Sequence, residues 1–299
     1  MLWNGRSTTP GAGGFSRPIM ETSALDDLLA SVAPHLSLVA TDLDGTFLRS
    51  DGTISARTRA AVHSARNAGI ALAFITARPP RIVCDLASEI GLDGVAVCSN
   101  GAILFDLASR EMMHHAPLGG LLARELIAAV RLADPDAVFA VEYGHMLGYE
   151  PAFPDLFEEA LRLHPTYIDH VDRLCDRDVT KLIVHHPHRE PDELVELIMP
   201  LLVAGGDVTH SGGPFVEIAA RGVSKATGLQ ALCDQLEITA AQVVAFGDMP
   251  NDLAMLQFAG LGVAVGNAHS ALLRSADMIA PTNNEDGVAV VLERILTFR

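Results

Sequence analysis

Basic residues are scarce in this chain: 21 Lys and Arg stand against 37 Asp and Glu, a formal net charge of −16 over 299 residues. That deficit excludes nucleic acid and anionic membrane surfaces as principal partners, because either would need a concentrated positive face. A small phosphorylated molecule stays compatible, provided a metal ion and a few cations are gathered at one site. Paired cysteines are missing too. Cys84, Cys98, Cys175 and Cys233 are widely spaced and no CxxC occurs, which excludes a thiolate zinc site and fits reduced thiols in a cytoplasmic protein. No apolar run reaches the roughly 18 residues that would suggest a membrane span. The segment 1–24 lacks the apolar stretch of a signal peptide and is rich in Gly, Pro, Ser and Thr. It reads as a flexible tail, or as sequence upstream of a true start near Met20. Internal repeats and low-complexity segments are absent. Gly11–Gly14 has no strand before it, and Gly260-x-Gly262 precedes its strand instead of following one, so a dinucleotide fingerprint fails.

What is present is apolar and well organised. At 49% hydrophobic residues against 19% charged, the chain can bury a sizeable core, and its length suits two coupled domains. A helical stretch around residues 25–32 leads to the apolar run Leu36–Ala40, which breaks off in Thr-Asp-Leu-Asp-Gly at 41–45. A wholly apolar run ended by acids and Gly predicts a buried parallel strand that delivers side chains at its carboxyl end. The same pattern recurs at Ile70–Ile75 before Thr76-Ala77-Arg78, and at Val95–Cys98 before Ser99-Asn100-Gly101. It returns at Val243–Phe246 before Gly247-Asp248, and at Leu261–Val265 before Gly266-Asn267. Helices predicted over 55–68, from Pro79-Pro80 to Gly91, over 224–236 and over 251–258 alternate with these strands. The alternation implies an α/β fold, with ligands bound at the carboxyl ends of the strands. Residues 102–213 differ in texture and read as an α+β module inserted into a core made of 25–101 and 214–299.

Asp42 and Asp44 lie two apart at a strand end, so both can face one pocket. Gly45 permits a sharp turn and Thr46 can hydrogen-bond within it. Carboxylates so close can bind a hard cation and divide the work of nucleophile and acid; taken alone, Asp-x-Asp equally describes solvated loop acids. Thr76 could offer its hydroxyl to a phosphate oxygen or simply cap the next helix. Lys225 sits near a helix start, where the dipole disfavours a cation, so it is either substrate-facing or a surface lysine. In Gly247-Asp248-Met249-Pro250-Asn251-Asp252, capping explains Asn251 and Asp252 but not Asp248 beside them. Acids converging from distant segments suggest a Mg²⁺ site completed by water and substrate oxygens. The tract His185-His186-x-His188 resembles a metal-binding tract, but it lies beside Pro187 and away from the acids, so it reads as a solvated turn in preference to a ligand site, and the pair His114-His115 reads the same way.

These residues together resemble the haloacid dehalogenase-like superfamily, specifically its Cof-type sugar-phosphatase branch. The resemblance covers nearly all of 36–296. It rests on Asp42-Leu43-Asp44-Gly45-Thr46, Thr76-Ala77-Arg78, Lys225 in Gly-Val-Ser-Lys, and Gly247 to Asp252, in that order, with a large insert between the second and third. Ser99-Asn100-Gly101-Ala102 and Glu285-Asp286-Gly287-Val288 also match. Ala77 departs from the Gly usual there, which implies a small packing change. The resemblance implies a three-layer Rossmann-like core with an inserted cap, and a Mg²⁺-dependent phosphatase acting on a small phosphorylated metabolite. In it Asp42 would be the nucleophile and Asp44 the general acid and base. Asp42, the Asp44 backbone carbonyl and Asp248 would hold Mg²⁺ with support from Asp252. Thr76, Lys225 and Asn251 would bind phosphate or substrate, and the cap, with Lys181, would select the substrate. A sugar phosphomutase of the same superfamily is the nearest rival. A phosphorylatable signalling receiver is more remote, since receivers lack both the insert and an acid two residues after the phosphorylated Asp. Substrate identity and oligomeric state are left open by these motifs.

Overall fold

The structure is a computed structural model that describes residues 22–144, 146–153 and 166–299; residues 1–21 of the expected tail lie outside it. The first helix, Thr22–Val32, starts within the stretch expected to be tail. β1 (Leu38–Thr41) and β2 (Ala71–Phe74) follow, joined by the helix Ala56–Asn67, whose N-cap Ser55 accepts from the Thr58 N–H at 2.9 Å. After the helix Pro80–Glu89, β3 (Val95–Cys98) turns into the antiparallel partners β4 (Ile103–Asp106) and β5 (Glu111–His115). The chain then builds β6 (Val138–Tyr143), β7 (Met146–Tyr149), β8 (Thr166–Ile168), β9 (Lys181–His185), β10 (Asp207–Thr209) and β11 (Phe215–Ala219). It finishes with β12 (Val243–Gly247), β13 (Leu261–Ala264) and β14 (Met278–Ile279).

The central sheet has the order β14-β13-β12-β1-β2 and is parallel throughout. A single parallel bridge, Ile75 to Val97, carries it on to β3. From β1 the chain winds outward through β2 to β3, and on its return it winds the other way from β12 to β14. Right-handed crossovers in opposite directions put helices on opposite faces, giving the expected layered α/β core. They also open a crevice where the winding reverses, between the carboxyl ends of β1 and β12. Asp42 and Asp248 stand at those two ends. One large apolar cluster, with Leu38, Ala40, Phe74, Val97, Val244, Phe246 and Val263 near its centre, holds this core together.

The second unit is a six-stranded sheet of order β10-β11-β9-β6-β7-β8. Alternation sends Phe139, Val141, Leu182, Val184, Val216 and Ile218 toward the helices Gly120–Ala133 and Pro191–Ile198, where they form a separate apolar cluster. The intervening residues Glu142, Lys181 and Glu217 share the other face, on neighbouring strands. β4 and β5 lie inside the expected 102–213 insert, yet β4 pairs with β3 and β5 with β4, whereas β11, expected in the 214–299 segment, pairs with β9 and β10. Among the described residues no helix is long and apolar enough to cross a membrane.

Candidate active site

The site forms where β1 and β12 end side by side. The Asp42 N–H donates to the Phe246 carbonyl at 3.0 Å, which continues the strand pairing to the acid itself. Gly45 then reverses the chain at φ +73°, and a Cβ there would lie 2.3 Å from Asp248 Oδ2. Only glycine lets the two acidic loops approach this closely. Thr46 Oγ1 donates to Asp248 Oδ1 at 2.9 Å and fixes that carboxylate.

Lys225 opens the helix Lys225–Leu236, capped reciprocally by Ser224 and Thr227. The surface alternative is excluded, since only 1% of the residue is exposed. Its Nζ donates to Asp42 Oδ1 and Asp252 Oδ1, each at 2.6 Å. The helix dipole opposes an ammonium at this end, and the two carboxylates outweigh it. Asp252 Oδ2 accepts from the N–H groups of Asp248 and Met249 at 3.0 Å. Both Asp252 oxygens are therefore engaged: one caps the turn that carries Asp248, the other anchors Lys225. Oxygens of Asp42, Asp248 and Asp252 all lie within 4.8 Å of one another.

Crowding these charges has an electrostatic cost. Burial holds Asp42 well above the ordinary carboxylate range; Lys225 pulls it down, and Asp252 and Asp248 push it further up. Burial likewise lifts Asp248 to about 7, aided by Asp252. Burial works against the Lys225 ammonium, but the Asp252 and Asp42 charges overcome it and keep its pKa above that of a free lysine.

Thr76 is fully buried, and its Oγ1 accepts from the Arg78 N–H at 3.1 Å. The next helix is capped by Pro79, so the alternative role of Thr76 as its cap is not used. Arg78 grips Asp44 with two hydrogen bonds, Nε to Oδ2 at 2.7 Å and Nη2 to Oδ1 at 2.5 Å, leaving the acid half exposed. Asp44 borders a cleft of about 480 Å³, shared with Gly45, Asp248, Met249 and the Ser211–Gly213 loop between β10 and β11. The motif after β3 is strained: Ser99 and Asn100 are left-handed at φ 50° and 57°. Hydrogen bonds to Arg78 and Thr76 carbonyls, both 3.0 Å, hold them there. At Gly101 a Cβ would meet the Ser224 carbonyl at 2.0 Å, so this turn packs directly on the cap of the Lys225 helix.

Lys181, expected to help the cap select substrate, lies in a buried ion pair behind the site loops. It is 3% exposed, and its Nζ hydrogen-bonds Glu217 Oε1 and donates to the Ala77 carbonyl at 2.8 Å. Burial opposes its charge, and Glu142 and Glu217 raise its pKa above the usual lysine value. Glu217 Oε2 accepts from Asn100 Nδ2 at 2.8 Å, and Asn100 Oδ1 accepts from Asn251 Nδ2 at 3.0 Å. Arg81 Nη2 pairs with Glu142 Oε1 at 3.2 Å. A continuous buried polar chain thus joins the six-stranded sheet to the loop of Asp248 and Asp252.

Sequence reasoning left Arg78, Arg81, Glu142 and Glu217 without roles. For Glu142 and Glu217, which lie on strands of the six-stranded sheet, the available signal was a charge on the strand face opposite the apolar one. The histidine expectation needs correcting. His186 is buried, 3.2 Å from Asp134, with its Nδ1 accepting from the His188 N–H at 3.1 Å. Arg189 Nε takes the other Asp134 oxygen at 2.6 Å, and ligand atoms of Asp134, Asp136 and His186 lie within 4.8 Å of one another, a grouping that could hold a metal ion. His115 lies in β5, with Nε2 3.1 Å from Thr180 Oγ1, and only His114 beside it is exposed.

The chain resembles known proteins along most of its length. It is 28% identical over 261 residues to the 5-amino-6-(5-phospho-D-ribitylamino)uracil phosphatase YitU of Bacillus subtilis, covering 86% of this chain and 96% of that protein. Identity to the HMP-PP phosphatase of Cronobacter sakazakii is 30% over 253 residues, covering 79% and 86% of the two chains. A crystal structure of a haloacid dehalogenase-like hydrolase from Bacteroides thetaiotaomicron superposes with a TM-score of 0.71 at 30% identity, over 87% of this chain and 99% of that one. The family profile described as haloacid dehalogenase-like hydrolase matches residues 39–292. With its acidic switch-point site and that match across nearly the whole described chain, the protein belongs to the haloacid dehalogenase-like hydrolases.

Proposed function

We propose that the protein is a Mg²⁺-dependent phosphatase that cleaves a small phosphorylated metabolite through an aspartyl-phosphate on Asp42. The observation that carries this reading is the buried Lys225 ammonium, 2.6 Å from Asp42 Oδ1, beside Asp248 at the switch point. Both curated relatives are named as phosphatases, which supports the same class. We place the substrate-covering unit at residues 116–221, following the strand pairing. The four cysteines are free, in keeping with a reducing cytoplasm.

The donor set fits a hard divalent cation. Asp42 and Asp248, with the Asp44 backbone carbonyl, would hold Mg²⁺, and Asp252 supports them from behind. Bound there, the ion would offset negative charge on the phosphoryl oxygens. Asp42 attacks phosphorus through Oδ2, since Oδ1 is held by Lys225. As the ester P–O bond breaks, Asp44 gives its proton to the leaving oxygen. Asp44 then takes a proton from a water, whose oxygen attacks phosphorus and releases phosphate from Asp42. Lys225, Thr76 and Asn251 are the groups that steady the phosphoryl oxygens. Arg78 holds Asp44 at the cleft mouth until the substrate takes its place.

Protein stripped with EDTA should not hydrolyse an aryl phosphate, and Mg²⁺ should restore turnover. Given a hexose phosphate, it should yield free phosphate; an isomer without phosphate would instead establish the mutase. The acids also predict a pH signature. A carboxyl whose folded pKa is raised stabilises the fold at low pH and loses that contribution as pH climbs through the raised value. For Asp248, near 7, the melting temperature of the stripped protein should therefore fall between about pH 5 and about pH 8. Mg²⁺ should flatten that slope and release protons on binding, measurable by calorimetry in buffers of different ionisation enthalpy. A flat profile without Mg²⁺ would contradict the crowded-acid description.

A further inference from the structure

The polar chain Lys181–Glu217–Asn100–Asn251 has a direction, and one carboxylate sets it. An ionised carboxylate only accepts hydrogen bonds. The Lys181 ammonium lies on Glu217 Oε1, and Asn100 meets Oε2 with its NH₂ group, at 2.8 Å. That leaves Asn100 Oδ1 as the acceptor for Asn251, which must in turn present its own NH₂ group, at 3.0 Å. The Asn251 carbonyl oxygen is thereby turned away from the chain. It is buried and has no hydrogen-bond partner among the described residues. Asn251 sits between Asp248 and Asp252 in the acidic loop, whereas Lys181 and Glu217 belong to β9 and β11 of the other sheet.

We propose that Glu217 is a positioning residue. By fixing the polarity of two amides in series, it sets which end of Asn251 faces the reaction site, so the site is correctly poled only when the six-stranded sheet is seated. The inference rests on the phosphatase reading for its kinetic arm alone.

The chemistry predicts an unusual mutational pattern. Glu217→Gln offers one acceptor in place of two. Once Lys181 claims that acceptor, the new amide NH₂ faces Asn100, which must flip to meet it, and Asn251 flips after it. Asn100→Asp alone sets two carboxylates against each other. Combined with Glu217→Gln, however, the carboxylate introduced at position 100 accepts both from the amide introduced at position 217 and from Asn251. The original Asn251 orientation is then restored while charge is conserved. Each single variant should lower kcat about tenfold with little change in KM, the loss of about one hydrogen bond's worth of transition-state stabilisation. The double variant should return to within about threefold of the parent. Losses that multiply in the double variant, or a silent Glu217→Gln, would overturn the proposal.

A second measurement does not depend on turnover. The Asn251 side-chain ¹⁵N–¹H₂ resonances of the full chain should move on Glu217→Gln and return in the double variant. Unmoved resonances overturn the proposal even if the protein proves to have no phosphatase activity, and resonances that move and return sustain it. Thermal melts accompanying both arms identify any variant lost through unfolding; the double variant, with its charge count intact, is the comparison that then decides.

Discussion

Asp42→Asn is expected to abolish Mg²⁺-dependent phosphate release, by about 10⁴-fold or more, while the protein stays folded. The magnitude follows from the role: asparagine leaves only a weakly nucleophilic amide oxygen at the end of β1 in place of the carboxylate that takes the phosphoryl group, and losses of a nucleophile in other hydrolases reach about 10⁶-fold. The stability half of the prediction has the opposite sign to most core mutations. Burial holds the Asp42 pKa high, opposed by Lys225 and reinforced by Asp252 and Asp248, so a neutral asparagine is the easier group to bury there. Lys225 keeps Asp252 as a partner at 2.6 Å. The melting temperature should hold or rise, as happens when a functional charge is traded for stability. Turnover retained in Asp42→Asn would remove the central mechanistic claim.

Lys225→Met should fail in both respects. Activity should drop by about 10³-fold, the scale of losing one preorganised charge at a transition state. Two buried carboxylates would also lose their shared cation. Removing one partner of a buried ion pair costs about 3–5 kcal/mol. The raised Lys225 pKa means its stabilisation is fully present at neutral pH and fades only in strong base, so the deficit should be plain at pH 7. It should shrink as pH falls and the orphaned acids take up protons. Adding Asp252→Asn to Lys225→Met should recover stability without activity, which chemical denaturation and steady-state kinetics on the same samples would separate. Recovery of both together would mean that Lys225 is a structural cation only.

The contrast between these residues and those first overlooked shows what a sequence makes visible. Leu38–Thr41 and Val243–Gly247 are short and wholly buried, so an acid just past each end stands out against the apolar run. The glycine at 45 and the lysine at a helix start were likewise locally anomalous, and both occupy the site. Glu142, Lys181 and Glu217 were locally ordinary. A single charge on the face of a strand opposite the apolar one is what a solvent-facing surface looks like, and nothing nearby in sequence reveals that this face is covered by the Ala77 and Asn100 loops. The same limit hid the place of Phe215–Ala219, whose alternation was compatible with either sheet until pairing with β9 decided it. His186 looked exposed because Pro187 follows it, yet its partner Asp134 arrives from a helix end far away in the chain. Arg78 was legible as part of a motif but its hold on Asp44 was not, because that contact spans two loops.

The site also has a charge ledger with a consequence for binding order. Among the described residues, Asp42, Asp44, Asp248 and Asp252 gather around two hydrogen-bonded cations, Lys225 and Arg78. Fully ionised, the pocket carries two surplus negative charges and would repel a phosphate dianion at the distance of contact. On the proposed phosphatase reading, a divalent ion held by these acids would cancel that surplus, and the pocket would act as a coincidence detector: phosphate is expected to bind measurably only when the cation is present.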